Sequence, residues 1–178
     1  MSTLSQSAIS KRMSNVRSVS TNPELLLRHE LWRLGFRYKK NDRKLPGSPD
    51  IVLPRYRTVI FVHGCFWHGH SNCRKFTIPK TNSSFWIDKI SNNRKHDQEV
   101  WRKLEAMEWS VIIVWECQLN KSMLDETISK LEAEIHRNGE LYVEAKKKRQ
   151  NLRKEYQQER KIKRDSLIIL QKELKEKV

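Results

Sequence analysis

Apolar residues along this chain recur with helical or strand period, and clusters of Pro, Gly, Ser and Asn punctuate them. Thr21-Asn22-Pro23-Glu24 reads as a helix start: a capping residue, a proline in the first turn and an acid suited to the helix dipole. Leu25, Leu26, Leu27, Leu31, Trp32 and Leu34 supply an apolar face, and Gly35 ends the helix. The turn cluster Leu45-Pro46-Gly47-Ser48-Pro49 leads into a short strand, Asp50-Ile51-Val52-Leu53. Pro54-Arg55-Tyr56-Arg57 reads as a hairpin connection to a β-branched strand, Thr58 to His63. Phe85 to Met107 predicts a helix with Trp86, Ile90, Val100 and Leu104 among its apolar positions. Ser110 to Trp115 is so uniformly apolar that it predicts a strand buried on both faces in mid-sheet. Ser122 to Ile135 is a further amphipathic helix.

The order helix, strands, helix, strand, helix predicts an α/β sandwich. The two ends differ from this middle. Residues 2–22 are polar and basic (Lys11, Arg12, Arg17), with Ile9, Met13 and Val16 as clear apolar anchors, and read as an arm. Residues 141–178 carry 13 Lys/Arg against 6 Asp/Glu and contain neither Gly nor Pro, which suits a long helix. Its ragged heptad of Leu152, Ile162, Ile169 and Leu174 favours a solvated basic helix over a coiled coil. The expected division is an arm at 1–21, a domain at 22–139 and a basic helical extension at 140–178, with the boundary near Gly139.

Charge changes the picture. The 178 residues carry a formal net charge of +15, and a field of that sign attracts polyanions, nucleic acid first among them. A merely soluble basic surface is the plainer alternative, and charge says nothing of catalysis. No apolar run approaches the roughly 20 residues that span a bilayer. The first 20 residues lack the apolar centre of a secretory signal. These features point to a cytoplasmic protein. Three cysteines, Cys65, Cys73 and Cys117, argue against a disulfide scaffold and for thiols or a metal site.

The candidate chemistry sits between His63 and Pro79. Cys65-x4-His70-x2-Cys73, joined by Cys117 at the end of the second apolar strand, forms a Cys₃His set suited to structural zinc. Three buried free thiols are the alternative. Asp50 at the mouth of one strand, with His63 at the end of the next, could hold Mg²⁺, although an aspartate after proline is more often a turn cap. His63 and His68 remain free to act near neutral pH as general base or phosphate contact, or are solvent-exposed loop histidines. Glu24 could bind a metal-bound water, besides stabilising its helix dipole. Phe66 and Trp67 either pack over the zinc site or wedge between base pairs, and composition does not separate the two.

Several blocks together resemble the very short patch repair (Vsr) DNA mismatch endonucleases. They are Thr21-x-Pro23-Glu24, Leu34-Gly35-Phe36-Arg37-Tyr38, Leu45 to Val52, and Ile60-Phe61-Val62-His63-Gly64-Cys65-Phe66-Trp67-His68. Phe85-Trp86, Lys89-Ile90, Asn93, Trp109 and Val114-Trp115-Glu116-Cys117 continue the resemblance in order, over roughly residues 8 to 136. It implies a restriction-endonuclease-like (PD-(D/E)XK) fold: a three-layer-like sandwich on a central mixed sheet with a zinc-stapled loop. It implies nicking 5′ of the thymine in T:G mismatches produced by deamination of 5-methylcytosine, and a functional link to a cytosine-5 methyltransferase.

By the same resemblance Asp50 and the main-chain carbonyl of Val62 bind Mg²⁺, His68 is the general base, and His63 and Glu24 support phosphate and metal-water geometry. Cys65, His70, Cys73 and Cys117 match the zinc ligands. Phe66 and Trp67 match intercalating aromatics, and Met13 lies where an N-terminal helix inserts from the other groove. The Glu-x-Lys of the wider nuclease class is absent after Asp50, as expected for this subfamily. The tail after Gly139 is not part of the family core and is expected to add DNA affinity or dock a protein partner. Two rival expectations stand: a Vsr-like nickase of a restriction or anti-phage system, and a zinc-containing DNA-binding protein without turnover.

Overall fold

The computed structural model describes residues 21–176, with side chains through residue 166. The arm expected at 1–20, Met13 included, lies outside the described residues. The elements are α1 (Asn22–Arg33), β1 (Lys39–Lys40), β2 (Ile51–Leu53), β3 (Thr58–His63), α2 (Ser83–Ala106), β4 (Ser110–Trp115) and α3 (Leu124–Glu176). Single 3₁₀ turns, Pro54–Tyr56 and Glu116–Leu119, follow β2 and β4. At the start of α1 the Thr21 amide and hydroxyl both donate to Glu24 Oε1, at 3.2 and 2.8 Å. The expected capping residue and first-turn acid therefore bond to each other.

The sheet has the order β1-β2-β3-β4. β1, β2 and β3 pair antiparallel, and β3 and β4 pair parallel, with Thr58 opposite Ser110 and His63 opposite Trp115. The fold is α/β with a mixed sheet, as the sequence predicts. β2 and β3 hold the inner positions, and β4 is an edge strand among the described residues, not the mid-sheet strand its apolar run suggests. The reason is that both faces of the sheet are covered by helices. Ile112 and Val114 join the core formed with α1 and α3, while Val111 and Ile113 pack against the cluster of α2. A strand sandwiched in this way reads as continuously apolar whether or not it has two neighbours.

Leu27, Leu31, Phe36, Ile51, Leu53 and Ile60 meet Ile128, Leu131 and Ile135 of α3 in one buried cluster. Val52, Val59 and Phe61 meet Val100, Leu104 and Trp109 in the other. The alternation along β2 and β3 assigns successive side chains to the two clusters. No helix of the described residues is long and apolar enough to cross a membrane.

Helix α3 runs through Gly139 without interruption. A Cβ at this position would come within 2.8 Å of Tyr56 Cδ1. The glycine is there to let the helix approach the 3₁₀ turn after β2.

Candidate active site

The antiparallel pairing of β2 and β3 puts the start of one beside the end of the other, and the chemistry collects there. Asp50, at the mouth of β2, accepts a hydrogen bond from the Val62 amide on Oδ2 at 2.8 Å. Burial raises the Asp50 carboxyl to about 6, the Val62 amide opposes the shift, nearby Glu24 adds to it, and Arg28 and His68 oppose it. A carboxylate held this far out of water gains from a cation beside it.

Behind Asp50 a buried network fixes the geometry. One Arg28 nitrogen, Nη2, donates to Glu24 Oε2 at 3.2 Å, to Asn41 Oδ1 at 2.5 Å and to the Asp50 carbonyl at 3.0 Å. Arg28 and Glu24 are 5% and 4% exposed, so this is an interior ion pair and not a surface one. Removing one partner of such a pair costs on the order of 3–5 kcal/mol, which makes Arg28 a scaffold of the site.

His63 and His68 stack with ring centroids 3.7 Å apart and planes 16° from parallel. His68 Nδ1 lies 2.6 Å from Asp97 Oδ2 on α2. A carboxylate only accepts, so Nδ1 carries a proton, and in the neutral ring Nε2 keeps the lone pair. Burial lowers His63 to about 4, with His68 adding to the effect and Asp97 opposing it, so its ring is neutral at pH 7. Its Nδ1 is buried without a hydrogen-bond partner among the described residues.

Glu24, Asn41, Asp50, Val62, His63 and His68 line one cleft of about 450 Å³, together with Arg43, His96, Asp97 and Trp101. The structure thus brings all five expected catalytic or magnesium-binding positions to one wall. Oxygen donors of the Asp50 carboxylate and the chain at Val62, with room for several waters, suit the hard octahedral demand of Mg²⁺.

The second constellation lies one turn further along the loop. Ligand atoms of Cys65, His70, Cys73 and Cys117 all fall within 4.8 Å of one another. Both Cys65 Sγ and Cys117 Sγ are 3.4 Å from His70 Nδ1. Zinc bond lengths to sulfur and nitrogen imply a tetrahedral edge of about 3.6 Å between such atoms, so the donor set and spacing fit that ion. Trp115 stacks on the His70 ring at 4.1 Å and 2°, fixing its orientation. Gly69 separates the two histidines at φ +64°, and a Cβ there would meet Ile90 at 2.8 Å. That left-handed turn aims His68 into the cleft and His70 at the cysteines.

Phe66 and Trp67 are half-buried and pack edge to face, with centroids 5.2 Å apart. Trp86 of α2 joins them at 5.3 and 6.1 Å. Asn93 Nδ2 donates to the Trp67 carbonyl at 2.9 Å, pinning the aromatic loop to α2.

Sequence reasoning missed Arg28, Asn41 and Asp97. For Asp97 a signal existed: on the inner stripe of α2, Ile90, Val100 and Leu104 are apolar while Asn93 and Asp97 are not. Polar residues at core spacing ask for polar partners, here the Trp67 carbonyl and His68. Asp97→Asn is expected to lower nicking on the order of 10²-fold or more, by removing the charge that orients and stabilises the His68 ring. Single-turnover kinetics beside a melting curve tests this; unchanged cleavage would demote Asp97 to a packing residue.

Comparison with known proteins agrees with the geometry. Residues 1–75 match the family model described as DNA mismatch endonuclease Vsr. The type II nicking enzyme V.NmeAIP of Neisseria meningitidis serogroup A is 48% identical over 124 residues, 69% of this chain and 88% of that enzyme. The DNA mismatch endonuclease Vsr of Escherichia coli K12 is 39% identical over 123 residues, 66% of this chain and 78% of that protein. The type II nicking enzyme V.XorIIP of Xanthomonas oryzae pv. oryzae is 46% identical over 108 residues, 61% and 79% of the two chains. Cleft, fold and relatives define the class as a DNA endonuclease, a hydrolase. Within that class the chain belongs to the Vsr family of DNA mismatch endonucleases.

Proposed function

We propose that this protein nicks one strand of duplex DNA 5′ of the mispaired thymine in T:G mismatches left by deamination of 5-methylcytosine, with Mg²⁺ as catalytic and Zn²⁺ as structural ion. The observation that carries the reading is the convergence of Asp50, Val62, His63, His68 and Glu24 on one cleft next to the Cys₃His cluster.

Asp50 and the Val62 carbonyl are the residues that would hold Mg²⁺, which when bound supplies charge to polarise the scissile phosphate. His68 accepts the proton of the attacking water at Nε2, and Asp97 stabilises the imidazolium that forms. Water oxygen bonds to phosphorus as one P–O ester bond breaks, and the sugar oxygen that leaves takes a proton from solvent and becomes a hydroxyl. His63 contacts phosphate, and Glu24, held by Arg28, orients water at the ion. Cys65, His70, Cys73 and Cys117 would hold Zn²⁺ as a staple between the loop and the end of β4. Phe66 and Trp67 wedge beside the mismatch, with Met13 of the arm at 1–21 entering from the other groove. Residues 22–139 form the nuclease domain of this restriction-endonuclease-like, three-layer architecture. The protein acts at the nucleoid in the bacterial cytoplasm, functionally linked to a cytosine-5 methyltransferase.

A second reading has a specific basis: several relatives are named type II nicking enzymes, which suits a nickase attached to a restriction or anti-phage system. The two separate on one comparison. End-labelled duplexes carrying T:G or T:A at one position, incubated with Mg²⁺, should show a nick beside the thymine on T:G alone. Equal nicking of both would favour the restriction-system reading.

A further inference from the structure

Beyond residue 140, α3 continues as an exposed helix whose charges are sorted. Lys146-Lys147, Arg153-Lys154 and Arg160-Lys161 recur at seven-residue intervals. Seven residues fall only about 20° short of two full turns, so the three doublets stack along one face at steps of about 10.5 Å. Glu144, Glu155 and Glu159 fall on the opposite side, together with Lys148 and Lys163. Asp165, at the border of the basic face, lies 3.8 Å from Arg164.

Lys148 and Lys163 stand four residues after Glu144 and Glu159, the spacing at which acids and bases pair on a solvated helix. Here none of the six doublet cations is ion-paired among the described residues, and all six are exposed. Arg149 pairs instead with Glu108 of the domain, and Arg160 lies 6.0 Å over the Tyr156 ring. A one-sided row of unpaired cations is complementary to a regular row of anions.

The path of the helix says where that row stands. α3 starts near the C-terminal end of β4, where Thr127 Oγ1 donates to the Gln118 carbonyl at 3.0 Å. By Gly139 it has reached Tyr56, and Arg57 lies 5.8 Å over Tyr142. Tyr56 and Arg57 form the β2–β3 connection, at the end of β3 opposite His63. The extension therefore leaves the body away from the cleft, with the doublets roughly 30–50 Å along the helix axis from Thr127.

We propose that the basic face of α3 binds the phosphate backbone of duplex DNA outside the segment held in the cleft, as a second and sequence-independent contact. It rests on the chain acting on DNA, and not on which mismatch is cut. At 3.4 Å per base pair, the offset corresponds to about 10–15 base pairs of duplex.

The test compares three full-length proteins on an unmismatched 40-base-pair duplex over a salt series. They are the wild type, the six-fold variant K146Q, K147Q, R153Q, K154Q, R160Q, K161Q, and the acidic-face variant E144Q, E155Q, E159Q. Glutamine keeps helix propensity, and circular dichroism checks that the helix remains. Each cation that meets a phosphate adds about 0.9 to the slope of log affinity on log salt, so the six-fold variant should lose up to about 5. Its affinity near 0.1 M salt should fall at least about tenfold, and single-turnover nicking of the same duplex carrying one T:G pair, at saturating protein, should stay as in the wild type. The acidic-face variant should keep the wild-type slope. A six-fold variant with the wild-type slope, as a protein-docking or merely solvated helix gives, would overturn the proposal. So would an acidic-face variant whose slope changes as much. Absence of nicking by every protein would count against the proposed function and leave the salt comparison readable.

Discussion

Asp50→Asn is expected to abolish nicking and leave DNA affinity within a few-fold of the wild type. The substitution removes a charge while keeping volume and one oxygen that can still accept from the Val62 amide. Transition-state stabilisation by a metal ion is worth several kcal/mol, and about 4 kcal/mol corresponds to roughly 10³-fold in rate. The fold should survive the change. Burial already drives the Asp50 carboxyl up to about 6 and so opposes its charge, which a neutral amide does not carry. Melting temperature should hold or rise slightly. A variant that loses binding together with cleavage would show that Asp50 shapes the DNA-contacting surface instead of the reaction.

Cys117→Ser is expected to cost both bound zinc and stability. Cys117 is the one member of the proposed ligand set from outside the loop, at the 3₁₀ turn after β4, so through it the ion would tie residues 65–73 to that end of the sheet. The hydroxyl of serine is a poor zinc ligand at neutral pH, and three ligands from one loop leave the tetrahedron open. Even about 3 kcal/mol lost would lower the melting temperature of a domain this size by roughly 6–12 °C. Because Gly69 and Trp115 connect the cluster to the cleft, nicking should fall as well. Elemental analysis decides: full zinc content in the variant would remove Cys117 from the ligand set.

Much of this site can be read in the sequence, because its residues sit at strand ends flagged by strong local signals. Pro49-Asp50 before an apolar run, and the His63 to His70 segment after another, are placed by the strands themselves, and antiparallel pairing brings them together. What escaped depends on contacts distant in sequence. Asp97 meets His68 across 29 positions. Arg28 lies four residues from Glu24, and only the fold shows the pair buried against Asn41 and the Asp50 carbonyl. β1 is two exposed lysines, which carry no strand signal, and forms because Lys39 and Lys40 pair with Val52 and Ile51. The close approach of Gly139 to Tyr56 is likewise encoded in no local pattern.

The proposed reaction is a metal-dependent hydrolysis of one strand in the Asp50–His68 cleft. Its most direct measurement labels both strands of a single T:G duplex and maps the products made by the full-length protein, with Mg²⁺ and with excess chelator. The account predicts one cut, 5′ of the mispaired thymine, with the partner strand intact and no product in chelator. Cleavage of both strands, or a nick that persists without a divalent cation, would contradict it.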